Sequence, residues 1–175
     1  EGDYCVLKNI TIADNDGMYG ISYHGVENEI DLNIINSVIW NNQQQNADAQ
    51  IVFGHGPNNP SYTINVRNSL VEGGASAISY SSEGQTNASV QWDSSNLTSY
   101  PYFNDPDNGD YSLSSYSPMI GAGASSYSID GVTYDAPTTD ILGNSRPNPA
   151  GTDPDIGAYE SSESAADYNP HKYVA

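Results

Sequence analysis

A run of oxygen-bearing side chains in the second half of the chain could bind a metal ion. Asp105, Asp107, Asn108 and Asp110 lie around Gly109. Carboxylate and amide oxygens are the ligands that Ca2+ prefers, and it takes roughly six to eight of them. The run lacks the closing acidic residue of an EF-hand, and Asp and Asn are equally suited to turns in which side chains cap the backbone. The sequence therefore leaves two interpretations, a calcium site and a plain turn.

Two smaller acidic groups have the same two interpretations. Asp14 and Asp16 precede Gly17, and Asp153 lies two residues before Asp155. Their carboxylates would supply the same hard oxygen ligands, and each pair also fits a turn. Ca2+ is the only cofactor that the sequence predicts.

The charge of the chain narrows the choice of partners. Its 175 residues contain 22 Asp and Glu against 4 Lys and Arg, which gives a formal net charge of -18. Such a surface repels nucleic acids and anionic membranes and attracts cations. No apolar run approaches the ~20 residues that are needed to span a bilayer. We therefore expect no nucleic-acid partner and no direct insertion into a membrane.

Three similar segments place an Asn before a short β-prone stretch. Asn9, Asn36 and Asn68 lie 27 and 32 residues apart. A repeat of roughly 20 to 50 residues is typical of solenoids and propellers. In a solenoid of parallel strands, equivalent residues stack about 4.8 Å apart, so a repeated Asn can hydrogen-bond the Asn above and below it. The sequence predicts such a structural ladder at these three positions.

A second set of segments repeats an apolar residue two positions before an aromatic one. Side chains alternate between the faces of a strand, so the two residues of each pair share a face. Pairing with an isoleucine favours burial in a common core over an exposed platform for sugar rings. The predicted core stack consists of Ile21, Tyr23, Ile51, Phe53, Ile78 and Tyr80.

These repeats predict the elements that must position the candidate ligands. Short strands separated by Gly, Asn and Pro loops, without a helical pattern, predict an all-β chain folded as a parallel β-helix, which is a solenoid of stacked coils. The repeat ends after Ser95, and solenoids need a terminal cap over the open core. We expect β-helix rungs over residues 1–97, an irregular C-terminal rung and cap region over 98–160, and a linker with the start of a further unit over 161–175.

The order of several short motifs resembles that of a known family. The motifs are 36–42 (NSVIWNN), 101–103 (PYF), 109–113 (GDYSL), 117–123 (SPMIGAG), 140–147 (DILGNSRP) and 155–160 (DIGAYE). Over roughly residues 5 to 160, the chain resembles the C-terminal half of bacterial parallel β-helix surface proteins of the choice-of-anchor Q type, in the pectate-lyase-like solenoid class. The resemblance implies a right-handed β-helix and a secreted or cell-surface location. It implies no defined activity.

The motifs that carry the resemblance have structural explanations. Ser117 followed by Pro118 is typical of a turn. Arg146 can clamp acidic neighbours in the cap, such as Asp140 or Asp155, because its planar guanidinium matches a carboxylate. None of the motifs forms a catalytic constellation, so the sequence assigns no catalytic residue.

The expected function is a structural or adhesive module that forms tandem arrays or filaments and binds a glycan or a surface protein through its loops. The alternatives are a segment of a polysaccharide lyase or another carbohydrate-active β-helix enzyme, and a non-catalytic glycan-binding module. Lyases of the pectate-lyase-like class use a Lys or Arg base beside calcium. The bases of this chain are Lys8, Arg67, Arg146 and Lys172. Its negative surface would repel an anionic substrate.

Both ends of the chain predict neighbouring units. The first residues, 1–6, run into the first repeat without an evident cap, and residues 171–175 resemble the opening strand of a β-helix. We therefore expect the β-helix to be open at its N-terminal end. Self-association or contact with tandem neighbours would follow from that openness.

Overall fold

A computed structural model of the chain describes residues 3–17, 19–25, 30–42, 49–55, 62–80 and 88–167. The strands are β1 (Asp3–Lys8), β2 (Thr11–Ala13), β3 (Ile21–Gly25), β4 (Ile30–Ile35), β5 (Val38–Trp40), β6 (Ile51–His55), β7 (Tyr62–Arg67), β8 (Leu70–Val71), β9 (Ile78–Tyr80), β10 (Ala88–Trp92), β11 (Phe103–Asp105), β12 (Asp110–Leu113), β13 (Ser126–Ile129) and β14 (Val132–Asp135). The helices among the described residues are two 3-10 turns, Gly74–Ala77 and Pro106–Asn108. The prediction of an all-β chain is confirmed.

The first ten strands form three parallel sheets. Their orders are β1-β4-β7-β10, β2-β5-β8 and β3-β6-β9, so each strand pairs with the strand three places later in the chain. The register places Ile21 opposite Ile51, and Ile51 opposite Ile78. The predicted parallel pairing of repeated segments is therefore present.

Side chains from these strands are divided between two cores. The inner core contains Leu32, Ile34, Ile39, Ile51, Phe53, Ile64, Val66, Val71 and Ile78. In β5, Ile39 belongs to this inner core, whereas its neighbour Val38 packs on the opposite side of the sheet. Successive side chains of a strand point to opposite faces, so the β2-β5-β8 sheet is buried on both faces.

The second core joins the β2-β5-β8 sheet to the C-terminal region. Val38 and Leu70 from the sheet pack with Met119 and Ile156, and all four side chains are fully buried. Phe103 from the antiparallel pair β11-β12 packs against this cluster. The region that was expected to cap the repeat thus lies along one face of a sheet. Burial of the apolar residues on that face stabilises this arrangement.

Asn9, Asn36 and Asn68 occupy the corners between the first two sheets. Their φ angles are 50°, 49° and 43°, in the left-handed region that Asn enters more readily than most residues. The Asn36 amide donates to Asn9 Oδ1 at 3.3 Å. The Asn68 amide instead donates to the carbonyl of Ala122 at 3.2 Å.

The corner amides also hold the C-terminal region against the sheets. Asn9 Nδ2 donates to the carbonyl of Asp155 at 3.3 Å. Asn36 donates to the carbonyl of Ala124 and accepts from its amide, both at 2.8 Å. These contacts give the repeated Asn a second role, which the repeat pattern did not predict.

Two predictions concern parts of the chain that the structure covers incompletely. Of the expected linker and further unit over 161–175, residues 168–175 lie outside the described residues. Among the residues that are described, no helix is long and apolar enough to cross a membrane.

Candidate functional site

An acidic cleft of about 610 Å3 lies between the segment that follows β2 and the 3-10 turn Pro106–Asn108. It is lined by Asp14, Asn15, Asp16, Asn41, Pro106, Asp107 and Tyr111. Two of the predicted calcium groups meet here, because Asp14 and Asp16 belong to one group and Asp107 to the other. The sequence analysis predicts these two groups as separate sites.

Hydrogen bonds between successive corners shape one wall of the acidic cleft. Asp14 follows β2 and Asn41 follows β5, and both have positive φ angles, 53° and 51°. The Asn41 amide donates to the Asp14 carboxylate. Asn15 Nδ2 donates to Asn42 Oδ1 at 2.6 Å. The carboxylate and amide groups of this wall are therefore held in place by side-chain bonds across the two strands.

Tyr111 forms part of the opposite wall. Burial raises the pKa of its phenol, and a hydrogen bond with Asp14 and the negative charge of that residue raise it further. The phenol therefore stays protonated at neutral pH and donates to the carboxylate. The rings of Tyr111 and Phe103 meet edge to face at 5.3 Å between centroids, which links the cleft to the second core.

The remaining members of the first calcium group cap turns. Asp105 Oδ2 accepts from Asn108 Nδ2 at 2.8 Å. Asp110 Oδ1 accepts from the amide and the hydroxyl of Ser112 at 3.0 and 2.6 Å, and these bonds lower the pKa of Asp110. In the described part of the chain, no group of three or more His, Cys, Asp or Glu side chains could hold a metal ion. The calcium site stays a prediction.

An aromatic patch, formed by Trp40, Tyr100 and Tyr102, lies on the surface. Trp40 meets Tyr100 edge to face at 5.6 Å, and Tyr100 meets Tyr102 in the same way at 5.1 Å. Tyr100 is 52% exposed and Tyr102 45%. The φ angle of Tyr102 is 53°, a conformation that is unfavourable for a bulky residue. Exposed rings held by aromatic neighbours can stack on a planar or apolar ligand surface.

A buried charge cluster consists of Asp140, Arg146, Asp155 and Glu160. Arg146 Nε lies 3.0 Å from Glu160 Oε2, and these side chains are 1% and 0% exposed. Arg146 Nη1 donates to the carbonyl of Gly157 at 3.0 Å. From the sequence, Asp140 or Asp155 was expected to pair with Arg146. In the structure, the direct ion-pair partner of Arg146 is Glu160. The position of Glu160 at the end of the 155–160 motif was the available signal.

The other two carboxylates of the charge cluster bind backbone amides. Asp155 accepts from the amides of Gly121 and Ser161 at 2.7 and 2.6 Å. Asp140 accepts from the amide of Asn144 at 2.8 Å. With every carboxylate engaged in such bonds, the charge cluster joins separate loops of the C-terminal region.

The charge cluster contains groups with opposite pKa shifts. Burial raises the pKa values of Asp155 and Glu160. Burial lowers the pKa of Arg146, although attraction to Glu160 opposes this effect. Burial also acts to raise the pKa of Asp140, but hydrogen bonds from Asn144 and other neighbours outweigh it and leave that pKa low.

Two of the basic residues considered for lyase chemistry attach the β13-β14 hairpin to the first sheet. Lys8 Nζ donates to the carbonyl of Asp135 at 2.7 Å. The Arg67 guanidinium lies 5.8 Å from the centre of the Tyr127 ring and 3.5 Å from the Asp93 carboxylate. Both side chains therefore have structural partners. The side chain of Lys172 lies outside the described residues.

The predicted core stack is placed by strand pairing. Its buried members are Ile51, Phe53 and Ile78. Ile21 is partly buried and packs against the inner core. Tyr23 and Tyr80 both pair with Phe53 through the backbone, and their side chains lie outside the described part of the chain.

The arrangement therefore offers three sets of groups: an acidic cleft, an exposed aromatic patch and a buried charge cluster. The first two are accessible to a ligand, and the third stabilises the C-terminal region. Comparison of the chain with protein-family models, curated proteins and solved structures finds no match.

Proposed function

We propose that the chain is a non-catalytic structural or adhesive module of a secreted or cell-surface protein, built as a right-handed parallel β-helix. The observation that carries this proposal is the repeated pairing of every third strand in three parallel sheets. A chain that visits three sheets in turn and then returns to the first advances as a stacked coil. Crossover connections between parallel strands are right-handed in nearly all proteins, which supports the proposed handedness.

Mechanical rigidity is the main property of the proposed module. The β2-β5-β8 sheet has apolar neighbours on both faces, and Val38 and Leu70 are completely buried beneath the C-terminal region. Asn36 adds two hydrogen bonds of 2.8 Å to Ala124 across this contact. Because bending the sheet would break contacts on both faces, the module resists deformation. Such a unit suits a tandem array or a filament on a cell surface.

The aromatic patch supplies the proposed adhesive surface. Tyr100 and Tyr102 are about half exposed, and Trp40 meets Tyr100 edge to face. Aromatic rings pack against the apolar faces of sugars, and neutral glycans avoid the repulsion that a chain of net charge -18 exerts on acidic ones. The second candidate function, a glycan-binding module without a mechanical role, rests on the same patch.

Calcium is included in the proposal as a ligand of the acidic cleft. Asp14, Asp16 and Asp107 line one cavity, and Asn41 adds an amide group, although in the described part of the chain these carboxylates do not come together as a group that could hold an ion by themselves. Ca2+ accepts carboxylate, amide and water oxygens in a flexible shell, so protein side chains need not supply all of its ligands. Binding would link the corner after β2 to the turn Pro106–Asn108.

A glycan array followed by an assay for unsaturated product tests the adhesive proposal. We expect binding to neutral glycans, loss of that binding in Tyr100→Ala and Tyr102→Ala, and no product. Val132→Ala, which changes another exposed apolar side chain, serves as the control. Release of unsaturated sugar would instead identify a polysaccharide lyase.

Electron microscopy tests the structural proposal independently of any ligand. We expect regular filaments or linear arrays when the chain is concentrated. If the chain binds glycans but forms no filaments at any concentration, the second candidate, a glycan-binding module without a mechanical role, is favoured.

A further inference from the structure

The aromatic patch is built on the middle of a sheet. Trp40 ends β5, the central strand of the order β2-β5-β8, and its side chain packs against the second core. Tyr100 meets Trp40 at an interplanar angle of 86°, and Tyr102 meets Tyr100 at 84°. Successive rings are therefore set at right angles, and the two tyrosines stay about half exposed. Ring faces held in this way can pack against the apolar face of a sugar.

The acidic cleft lies next to the aromatic patch. Asn41 directly follows Trp40 and lines the cleft. Tyr111 also lines the cleft, and its ring packs edge to face on Phe103, which directly follows Tyr102. Trp40 and Phe103 both pack against the second core. A ligand several units long that rests on the patch can therefore reach the cleft.

Carboxylates lie on both sides of Asn41. Its backbone amide donates to Glu72 Oε2 at 2.8 Å, and its side-chain amide donates to the Asp14 carboxylate. Burial is the main cause of the raised pKa of Tyr111, and the negative charges of Asp14 and Asp107 add to it. Both carboxylates therefore lie within electrostatic reach of one phenol. The surface beside the aromatic patch is consequently negative and attracts cations.

The spacing of these carboxylates favours several separate cations over a single one. In the part of the chain that the structure describes, no three acidic side chains form a group that could hold a metal ion. Cationic groups that repeat along a polymer can each approach a different carboxylate, and every ammonium supplies three N–H donors. An ammonium is also attracted to the exposed face of a tyrosine ring. The net charge of -18 adds a general attraction for such a polymer.

We propose that the aromatic patch and the acidic cleft together bind a glycan of protonated amino sugars, with a sugar ring against Tyr100 or Tyr102 and ammonium groups against the carboxylates of the cleft. This binding mode rests on the proposed adhesive surface and adds the class of sugar that it prefers. Acidic glycans are repelled, neutral glycans use the rings alone, and amino glycans use the rings and the carboxylates together. A basic peptide satisfies the carboxylates but lacks a sugar face to stack on the rings.

Titration calorimetry with the full chain tests the proposal, using hexamers of β-1,4-linked glucosamine and of N-acetylglucosamine. The buffer is low in salt, contains EDTA to remove calcium, and is held at about pH 5.5, where ordinary carboxylates are ionised. We expect the amino hexamer to bind about tenfold more tightly, because its ammonium groups pair with carboxylates. Equal binding of the two hexamers would overturn the preference for amino sugars and keep the glycan-binding surface. Binding of neither hexamer would overturn both.

Variants of the protein separate the rings from the carboxylates. Tyr100→Ala and Tyr102→Ala should each weaken binding of the amino hexamer about tenfold through lost ring contact. Asp16→Asn and Asp107→Asn, at exposed positions in the cleft, should each lower the preference for the amino hexamer about threefold. Asp130→Asn removes the same charge at the exposed hairpin turn and should leave the preference unchanged. Equal effects of Asp107→Asn and Asp130→Asn would show attraction by net charge alone and overturn the site.

Hexalysine carries a matching series of ammonium groups without sugar rings. We expect it to bind more weakly than the amino hexamer, and we expect Tyr100→Ala to weaken the amino hexamer more than hexalysine. Equal affinity of the two ligands, with equal losses in Tyr100→Ala, would assign the surface to a basic peptide and overturn the proposal. Tyr100 is 52% exposed, so this comparison remains decisive if Tyr102→Ala fails to fold.

Discussion

Asn36 and Ala124 exchange two hydrogen bonds of 2.8 Å, in which the Asn36 side chain both donates to and accepts from the backbone of Ala124. The side-chain amide thus pairs with a peptide group as a neighbouring strand would. Asn36 also has a φ of 49° and is 1% exposed. One residue therefore makes the corner between two sheets and fastens the C-terminal region to it.

Asn36→Ala is expected to lower the free energy of unfolding by about 2 to 4 kcal/mol, because it removes buried hydrogen bonds and because Ala tolerates the left-handed region less well than Asn. Asn36→Gly should cost about 1 kcal/mol less, because glycine keeps the backbone conformation without strain. Urea denaturation measures both. The control is Asp130→Ala at the exposed hairpin turn, where φ is 50° and only the backbone penalty applies. Equal losses in Asn36→Ala and Asp130→Ala would contradict the role of the amide.

Gly157→Ala is expected to destabilise the contact between the C-terminal region and β2. An added Cβ would lie 3.0 Å from Thr11 Oγ1 and 3.1 Å from Val38 Cγ2, at a φ of 105°. Gly143→Ala has a φ of 86° and open space around the Cβ, so it tests backbone strain alone. The Gly157 variant should lose about 1 to 3 kcal/mol more than the Gly143 variant in thermal or urea unfolding. Similar losses in the two variants would mean that Thr11 and Val38 can move to accommodate the added Cβ.

Glu160→Gln is expected to cost about 3 to 5 kcal/mol in the free energy of unfolding. It keeps the shape of the side chain but leaves Arg146 as a buried cation without its ion-pair partner. Glu163→Gln, at an exposed position, should change stability by less than about 0.5 kcal/mol. A loss in Glu160→Gln as small as this control would show that Asp140 and Asp155 compensate the charge.

Mild acid is expected to stabilise the chain. Burial raises the pKa of Asp155, so the folded chain binds a proton there more readily than the unfolded chain between the ordinary value of about 4 and the raised one. Glu160 does not add to this gain, because protonating it removes the ion-pair partner of Arg146. The free energy of unfolding therefore rises as pH falls through that window. Below about pH 4 the trend reverses for Asp140, whose pKa is lowered and whose contribution is lost on protonation.

Urea denaturation at a series of pH values measures this dependence. Asp155→Asn should flatten the rise on the acidic side of neutrality. Asp153→Asn changes an exposed carboxylate and should leave the curve intact. An unchanged slope in Asp155→Asn would assign the effect to general charge repulsion.

Calcium at millimolar concentration is expected to raise the melting temperature, because a ligand bound only to the folded state stabilises it. Asp16→Asn and Asp107→Asn should each reduce the shift, since both residues line the acidic cleft. Asp130→Asn, in the exposed hairpin turn, should not. A melting temperature that neither calcium nor EDTA changes in the unaltered chain would remove calcium from the proposal.

The repeated strands were predictable because their signals are local and periodic. Ile51 and Ile78 share a position within their repeats, and alternation of side chains along a strand already places both on a buried face. The corners are also recognisable in the sequence, because each carries an Asn, which tolerates a positive φ, as at Asn36 and Asn68. Such features depend on a few neighbouring residues and on one stacking distance.

The functional surfaces depend on contacts between distant parts of the chain. Asp14 and Asp107 line one cleft, and Tyr100 joins Trp40 in an exposed patch, although neither pair shares a sequence motif. The motif around Glu160 was visible, but its pairing with Arg146 depends on how two loops fold back on each other.

The sequence by itself determined the all-β character, the repeat and part of the inner core, namely Ile51, Phe53 and Ile78, because periodicity and strand alternation are properties of short segments. Only the tertiary structure decided that the C-terminal region lies along the β2-β5-β8 sheet, held by Asn36 and Val38. The physical reason is that the outer face of this sheet is also apolar, and an apolar face can be covered by any segment of suitable shape. Which segment covers it is determined by the packing and hydrogen bonds of the whole chain.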